Sequence, residues 1–344
     1  MSPPRDAVEH QQQRAELSQA TGRAARALWA QADPEDLERS WLAMLARVIA
    51  LVTAGQLTAA RQAQPWLQRA LPGEPGEGEI QPEQLAGVSG DGRDLAGLLM
   101  EPVYVTLNRI SRGFTQALSI ASGAAFLEML ARTLVADIGR AADLVGMIAR
   151  PAITSYVRVV ELPACARCII LAGREYGLST GFERHPQCDC TMAPVTRTHR
   201  PAPVDAQDVF RQMTAQQQRK TFGAAAVKAI EDGADIAQVV NARRGMTTAT
   251  AYGRTVQATT EGITRRGLAG ARLITGDPNA LTAPRTGGDT QVVSEYLRRT
   301  RTGRQQLVRL RGARSPRLMP EEIYRLADDR EHAIRLLRQH GYIV

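Results

Sequence analysis

Apolar residues recur along most of this 344-residue chain at the three- and four-residue spacing of helices that bury one face. Residues 5–31 form the first such run, with Ala20, Ala24, Ala27 and Leu28 on its predicted apolar face. Asp33 and Pro34 then supply a helix start, a capping carboxylate followed by a ring whose fixed φ suits the first turn. From there Leu37, Trp41, Leu42, Leu45, Val48, Ile49 and Val52 share a face. Residues 72–94 lose the pattern and are rich in Gly, Pro and acids, which predicts a solvated loop or hinge. One long helical region is predicted from Leu95 to Arg150, ended by Pro151. Its richest apolar part, 113–149, is interrupted by Glu128, Arg132, Asp137, Arg140 and Asp143. No stretch approaches the about 18 uninterrupted apolar residues of a membrane span, so no membrane partner is expected.

The period changes at Tyr156–Val160, where alternation and β-branching predict a short strand that feeds a cysteine-rich segment. Pro201-Ala-Pro203 marks its exit. After Asp205 the helical pattern returns at Val209 and Met213, then at Phe222, Ala226 and Ile230, with Gly233 as a stop. Asp235 restarts it through Val239 and Val240. Residues 245–290 are Gly- and Thr-rich and predicted irregular, and Pro320-Glu321-Glu322 opens two last amphipathic segments that end at Gly341. The predicted fold is mainly α with a small cysteine-rich α+β module in the middle of the chain. It divides into an N-terminal helical region (1–150), a Cys/His-rich module (151–200) and a basic helical C-terminal region (201–344).

Charge adds a second theme. The net formal charge is +8, and only Lys220 and Lys228 among the 43 basic residues are not arginine. That ratio reports a GC-rich genome more than guanidinium chemistry, but the net basicity favours polyanionic partners. Arg298 to Arg317 holds eight arginines and no acid. It reads either as a salt-sensitive contact to phosphates or as a solvated helix surface. Arg243-Arg244 and Arg265-Arg266 carry the same two readings. The opening MSPPRDAVEHQQQRAELS has no apolar core of the secretory kind. A reducing cytoplasm is therefore the expected first environment, in which clustered cysteines favour metal over disulfide.

All four cysteines and one histidine fall in the 26 residues CARCIILAGREYGLSTGFERHPQCDC. The segment is a Cys-x2-Cys pair, Cys165 and Cys168, then a 16-residue spacer, then His185-Pro-x-Cys188-x-Cys190. A Cys-x2-Cys turn brings two thiolates to one tetrahedral ion, and structural zinc takes four N or S donors. Five candidates exceed four places, so one is expected outside the ligand set, with His185 and Cys190 the two weakest. In an extended Cys-x-Cys the side chains diverge, so joint ligation needs a bend at Asp189. Reduced cysteines packed in a small core, a disulfide formed after release and a catalytic thiol are the other readings. Gly177-Leu-Ser179-Thr-Gly181 matches a nucleophile-elbow expression, yet Arg174–Tyr176 before it and Phe182–Pro186 after it suit neither the strand nor the helix an elbow requires. His10, His199, His332 and His340 stand apart and read as surface or internally satisfied residues.

The cysteine segment resembles the hallmark of the Mu-F-like minor head proteins of tailed bacteriophages. The resemblance lies in Cys165, Cys168, Leu171 with Gly173, His185, Pro186, Cys188, Cys190 and Pro194. The actinobacteriophage branch is similar further, at Tyr156-Val-Arg158, Ala164–Cys168, Phe182, Val240–Gly245, Thr259–Gly262, Arg265–Gly267 and Gly341-Tyr-Ile. Arg167 stands where the wider family often has proline. The likeness covers residues 150–344 well and the N-terminal helices only in general character. It implies a minor capsid protein of head morphogenesis, made in the host cytoplasm and carried inside the virion head. The implied partners are portal protein, scaffold and major capsid protein, with phage DNA met through Arg298–Arg317. Some relatives are labelled capsid maturation proteases, which is the enzymatic alternative. A host-directed zinc-containing DNA-binding protein is the third reading.

Overall fold

The computed structural model describes residues 4–181, 185, 186, 188, 190–251, 254–263, 267–275, 290–299, 305–313 and 317–344. These form two compact units, Met1–Ala164 with Leu171–Val204, and Cys165–Ile170 with Asp205–Val344. The mainly helical expectation, with a cysteine cluster mid-chain, is borne out.

The first unit begins with α1 (Arg5–Trp29), α2 (Leu37–Arg61), α3 (Ala63–Ala70), α4 (Pro82–Leu85), α5 (Leu95–Ser111) and α6 (Gln116–Ile148). Helices α1, α2, α5 and α6 enclose a core that includes Trp29, Trp41, Val48, Val52, Leu99, Val103, Leu127 and Leu134. Trp41 meets Trp29 edge to face at 4.9 Å and donates its indole N–H to the Leu99 carbonyl at 2.8 Å, so neither ring is buried with an unmet donor. At Gly123 a Cβ would lie 2.7 Å from the Trp29 ring, and the missing side chain is what lets α6 close on α1. By length and composition α6 and the stretch Leu37–Ala70 also qualify as membrane-crossing helices. In this unit Trp41, Val48 and Val52 of that stretch and Leu127, Ala131 and Leu134 of α6 line the shared core.

Three expectations are corrected here. The single helical region 95–150 is two helices, because Gly113 takes φ 86° and reverses the chain before Thr115 caps α6. The buried face of α1 is also not the alanine face. Ala20 and Ala27 are exposed, while His10, Gln11, Arg14, Ser18, Thr21 and Ala25 are buried. The Asp33 start is displaced as well: α2 begins at Leu37, and Asp33 instead accepts from the Glu35 amide at 3.0 Å in the turn before it.

The unit closes with a three-stranded antiparallel sheet of order β2-β1-β3, made of β1 (Ser155–Val159), β2 (Glu175–Gly177) and β3 (Thr191–Val195). The strand predicted at Tyr156–Val160 is therefore present, but it is buried on both faces rather than alternating with solvent. The reason is position: β1 is the central strand, and β3 beside it packs against α1 and α6.

The second unit contains α7 (Ala166–Ile169), α8 (Ala206–Gln212), α9 (Ala215–Phe222), α10 (Ala224–Glu231) and α11 (Ile236–Ala242). Thr214 and Gln217 form a capping box on α9. As the sequence predicts, Asp235 caps α11, through the Gln238 amide at 2.7 Å. Residues 245–290, expected irregular, hold the hairpin β4 (Met246–Ala251) and β5 (Arg254–Thr259), then α12 (Leu268–Thr275). The described residues of the basic tract are strand rather than helix. The tract contributes to the hairpin β6 (Thr290–Arg299) and β7 (Gln305–Ala313), and to β8 (Arg317–Leu318), which pairs with β5. Helices α13 (Pro320–Leu326) and α14 (Arg330–Gln339) follow.

The chain's last turn is part of this unit's core. Gly341 turns with φ 69°, Tyr342 is fully buried, and its carbonyl accepts from the Asp235 amide at 2.7 Å. Arg317, the last arginine of the basic tract, is interior. It stacks on Tyr342 at 4.1 Å and donates to the His340 carbonyl at 2.8 Å and the Glu261 carbonyl at 2.9 Å. His340 Nδ1 accepts from the Leu318 amide at 3.3 Å. Burial, and then the nearby Arg317 charge, push the His340 imidazole down to about 4. Because the unfolded chain takes up this proton first, stability is full above about pH 6.5 and falls as pH drops towards 4, by about 3 kcal/mol. Thermal melts between pH 7 and pH 4 should show that loss in the wild type and a shallower one in His340→Gln. Equal slopes would refute the assignment.

Candidate metal centre

The strand β1 sets the first wall of the site. Its register puts Tyr156 opposite Pro194 and Arg158 opposite Met192, and two-residue periodicity places Tyr156 and Arg158 on one face. The Tyr156 hydroxyl donates to the Thr180 carbonyl at 2.7 Å and its ring stacks on Tyr176 at 5.7 Å. Arg158 extends Nη2 to 3.4 Å from Cys190 Sγ and 3.8 Å from Cys188 Sγ.

The helices hold the same segment from the other side. Arg140 of α6 donates to the Cys188 carbonyl at 3.1 Å and pairs with Asp137 at 2.9 Å. Arg14 of α1 donates to Thr191 Oγ1 and to Gln11 Oε1, both at 2.7 Å, and forms a close ion pair with Asp143. His10 Nε2 meets the other Asp143 oxygen at 2.7 Å, and its ring lies flat on Trp66 at 4.4 Å. Burial alone would raise the Asp143 carboxyl, but the adjoining Arg14 and His10 outweigh it and hold the group below its ordinary range. The Cys188–Thr191 segment is thus positioned by three buried arginines, Arg14, Arg140 and Arg158.

The donors themselves lie on tight turns. Cys165 precedes α7, and its sulfur accepts from the Cys168 amide at 3.4 Å, with the two sulfurs 3.4 Å apart. The Cys188 amide donates to the His185 carbonyl at 3.1 Å, which closes the His-Pro turn. His185 Nδ1 lies 2.8 Å from the Pro186 carbonyl. A carbonyl only accepts, so Nδ1 is the donor in this contact.

All five candidate residues fall into two overlapping groups whose donor atoms lie within 4.8 Å of one another: Cys165, Cys168 and His185, and Cys168, Cys188 and Cys190. Cys168 belongs to both. Tetrahedral zinc with sulfur arms of about 2.3 Å separates two sulfurs by about 3.8 Å, and each group by itself has a spacing compatible with donors around an ion. Cys168, Cys188 and Cys190 are buried, Cys165 is partly so and His185 is exposed. The structure therefore brings Cys190 into the cluster beside Cys188. Asp189, the expected bend between them, lies outside the described residues, as do Arg265 and Arg266 and the arginines at 301, 304 and 314.

Ser179 does not share this environment. A strand does precede it, contrary to the expectation, since Glu175–Gly177 forms β2. The residue itself is exposed and no helix follows through Gly181. Sequence reading missed Arg14, Arg140, Arg158 and Asp143. A signal was available in α1, where His10, Gln11, Arg14, Ser18 and Thr21 recur on one helical stripe as buried polar positions.

No curated protein and no solved structure matches the chain. A family model described as VG15 protein matches residues 1–216. That match takes in the N-terminal helices, where the resemblance to minor head proteins is weakest, together with the sheet and every metal-ligand candidate. It stops before the 240–267 motifs of the actinobacteriophage likeness. Since it covers more than half of the sequence, this chain belongs to the VG15 protein family, a family of phage gene products.

Proposed function

We propose that this phage protein is a Mu-F-like minor capsid protein that acts in head morphogenesis. The observation that carries the reading is the cysteine segment, whose Cys-x2-Cys and His-Pro-x-Cys-x-Cys resemble that signature, with the longer spacer of the actinobacteriophage branch, and which lies in the part of the chain that the phage family covers. We read its role as structural. Its partners are the portal protein, scaffold and major capsid protein, and its place is the interior of the virion head after assembly in the host cytoplasm. Phage DNA meets the tract from Arg298 onward, with Arg317 excluded by its burial.

The metal in this reading is zinc held by Cys165, Cys168, Cys188 and Cys190, with the exposed His185 outside the set. When bound, the ion supplies a cross-link between turns too short to hold themselves by core burial. The chain's own residues orient the donors, with Arg140 fixing the Cys188 backbone and Pro186 stiffening the turn before it.

Quantitative mass spectrometry of purified heads tests the assignment. A few copies per head are expected in both procapsids and virions. Its absence from both, with the protein free in the infected cell and bound to DNA, would favour the host-directed reading instead. Scaffold or capsid processing that stops in Ser179→Ala would replace the structural role with a protease.

A further inference from the structure

The geometry points to a binding site at the C-terminal end of α6, a cavity that takes a small ligand or chain end carrying a carboxylate beside a cationic group. The cavity has a volume of about 470 Å³, within the range of small-molecule sites. Its walls come from α3, with Gln64 and Gln68, from the acid-rich loop, with Glu74, Glu77 and Glu79, and from Arg150 just beyond α6. None of these residues belongs to the metal centre. The loop is fastened in place: the Glu77 amide donates to the Ala149 carbonyl at 2.8 Å and the Glu74 amide to the Leu71 carbonyl at 3.1 Å. Behind it, Ile80 shares a buried cluster with Ala63, Ile138 and Ala142. A Cβ on Gly76 would lie 3.7 Å from Arg150 Cγ, so the loop passes directly over the arginine stem.

Arg150 selects an anion. It is 1 % exposed, and its guanidinium makes one hydrogen bond among the described residues, from Nη1 to the Gly146 carbonyl at 2.8 Å. That bond caps the end of α6, where a cation is favoured. Capping uses one of five N–H donors and explains neither the burial nor Nε, which is enclosed without an acceptor. Arg14 and Arg140 have Asp143 and Asp137 as countercharges, whereas no carboxylate pairs with Arg150 among the described residues. Burial accordingly lowers its pKa with no opposing charge to raise it. A carboxylate entering the cavity would offer this planar fork two acceptor oxygens. The other walls ask for the opposite sign. Gln64 Oε1 is buried without a donor, and Glu74, Glu77 and Glu79 hold no ion pair among the described residues. These acceptors suit an ammonium or guanidinium next to the ligand's carboxylate, and the three glutamates repel the second negative charge of a phosphate. The pattern therefore fits a basic amino acid, free or as the last residue of a peptide, better than a nucleotide.

Calorimetric titration of the full-length protein tests the site with five probes: L-arginine, an acetylated glycyl-glycyl-arginine peptide, L-argininamide, acetate and inorganic phosphate. Arginine or the peptide should bind saturably, one per chain. Argininamide, which lacks the carboxylate, and acetate, which lacks the cation, should bind at least about tenfold more weakly. Tighter binding of the peptide than of arginine would support a chain end as the natural ligand, and the reverse order a free amino acid. Arg150→Gln should weaken the better ligand by about tenfold or more. The exposed pair Glu77→Gln and Glu79→Gln should weaken it as well, with the melting temperature kept near that of the wild type. If circular dichroism shows that Arg150→Gln does not fold, the double glutamate variant decides. The site would be overturned by an absence of saturable binding, by argininamide matching arginine, by phosphate binding most tightly, or by unchanged affinity in the folded variants.

Discussion

Asp143→Ala is expected to destabilise the first unit by about 3–5 kcal/mol, the range for breaking a buried ion pair from one side. The carboxylate accepts from Arg14 and meets His10, and both partners are almost fully buried. Without it, a guanidinium remains in the interior with its countercharge gone. The same Arg14 donates to Thr191, so the loss should also loosen β3 directly after Cys190. For a unit of this size the melting temperature should drop by roughly 10 °C. Thermal denaturation followed by circular dichroism measures it. Asp143→Asn should cost less, because an amide can still accept one bond. A shift of under about 1 kcal/mol in Asp143→Ala would mean that the network is incidental.

The second large effect belongs to Cys168. It is the one donor common to both groups of the candidate metal centre. Cys168→Ser should therefore abolish stoichiometric zinc, and with it binding energy on the order of 10 kcal/mol for a structural site. His185→Ala should leave the zinc in place, since that side chain is exposed and lies outside the proposed sulfur set. Metal analysis of both variants after purification in reducing buffer separates the outcomes. Zinc retained by Cys168→Ser, or lost from His185→Ala, would show that the ligand set is wrongly drawn.

Where local chemistry decides an element, the sequence made it legible. Asp235 caps α11 because a carboxylate bonds amides two or three residues on, whatever the rest of the chain does. The apolar face of α2 follows from Leu37, Trp41, Val48 and Val52, although Leu42 turned out to be exposed. The cysteine segment advertised itself by spacing. What stayed hidden depended on distant partners. The stripe of α1 looks unfit for burial until Asp143 and Thr191 arrive from far along the chain to satisfy it. An apolar count picks the alanines of that helix for the same reason. Strands in the Gly/Thr-rich and arginine-rich stretches were missed because pairing, rather than propensity, makes them, and the partner strand is not local information. Arg317 reads as one more surface cation, and only the Tyr342 ring and the carbonyls around it reveal an interior residue.

The tucked last turn has a consequence for the order of events during synthesis. Helix α11 is complete once Ala242 has been made, yet the Asp235 amide at its start waits for the Tyr342 carbonyl, a hundred-odd residues later. Translation proceeds from the N-terminus, and domains generally fold as units in that order. The second unit therefore spends the making of residues 243–342 with its seam open, while the helices and sheet of the first are already whole. Arg14 imposes a longer delay of the same kind on α1, which must wait 177 residues for Thr191. A chain stalled between these two points would present a finished first unit tethered to an unsealed second one.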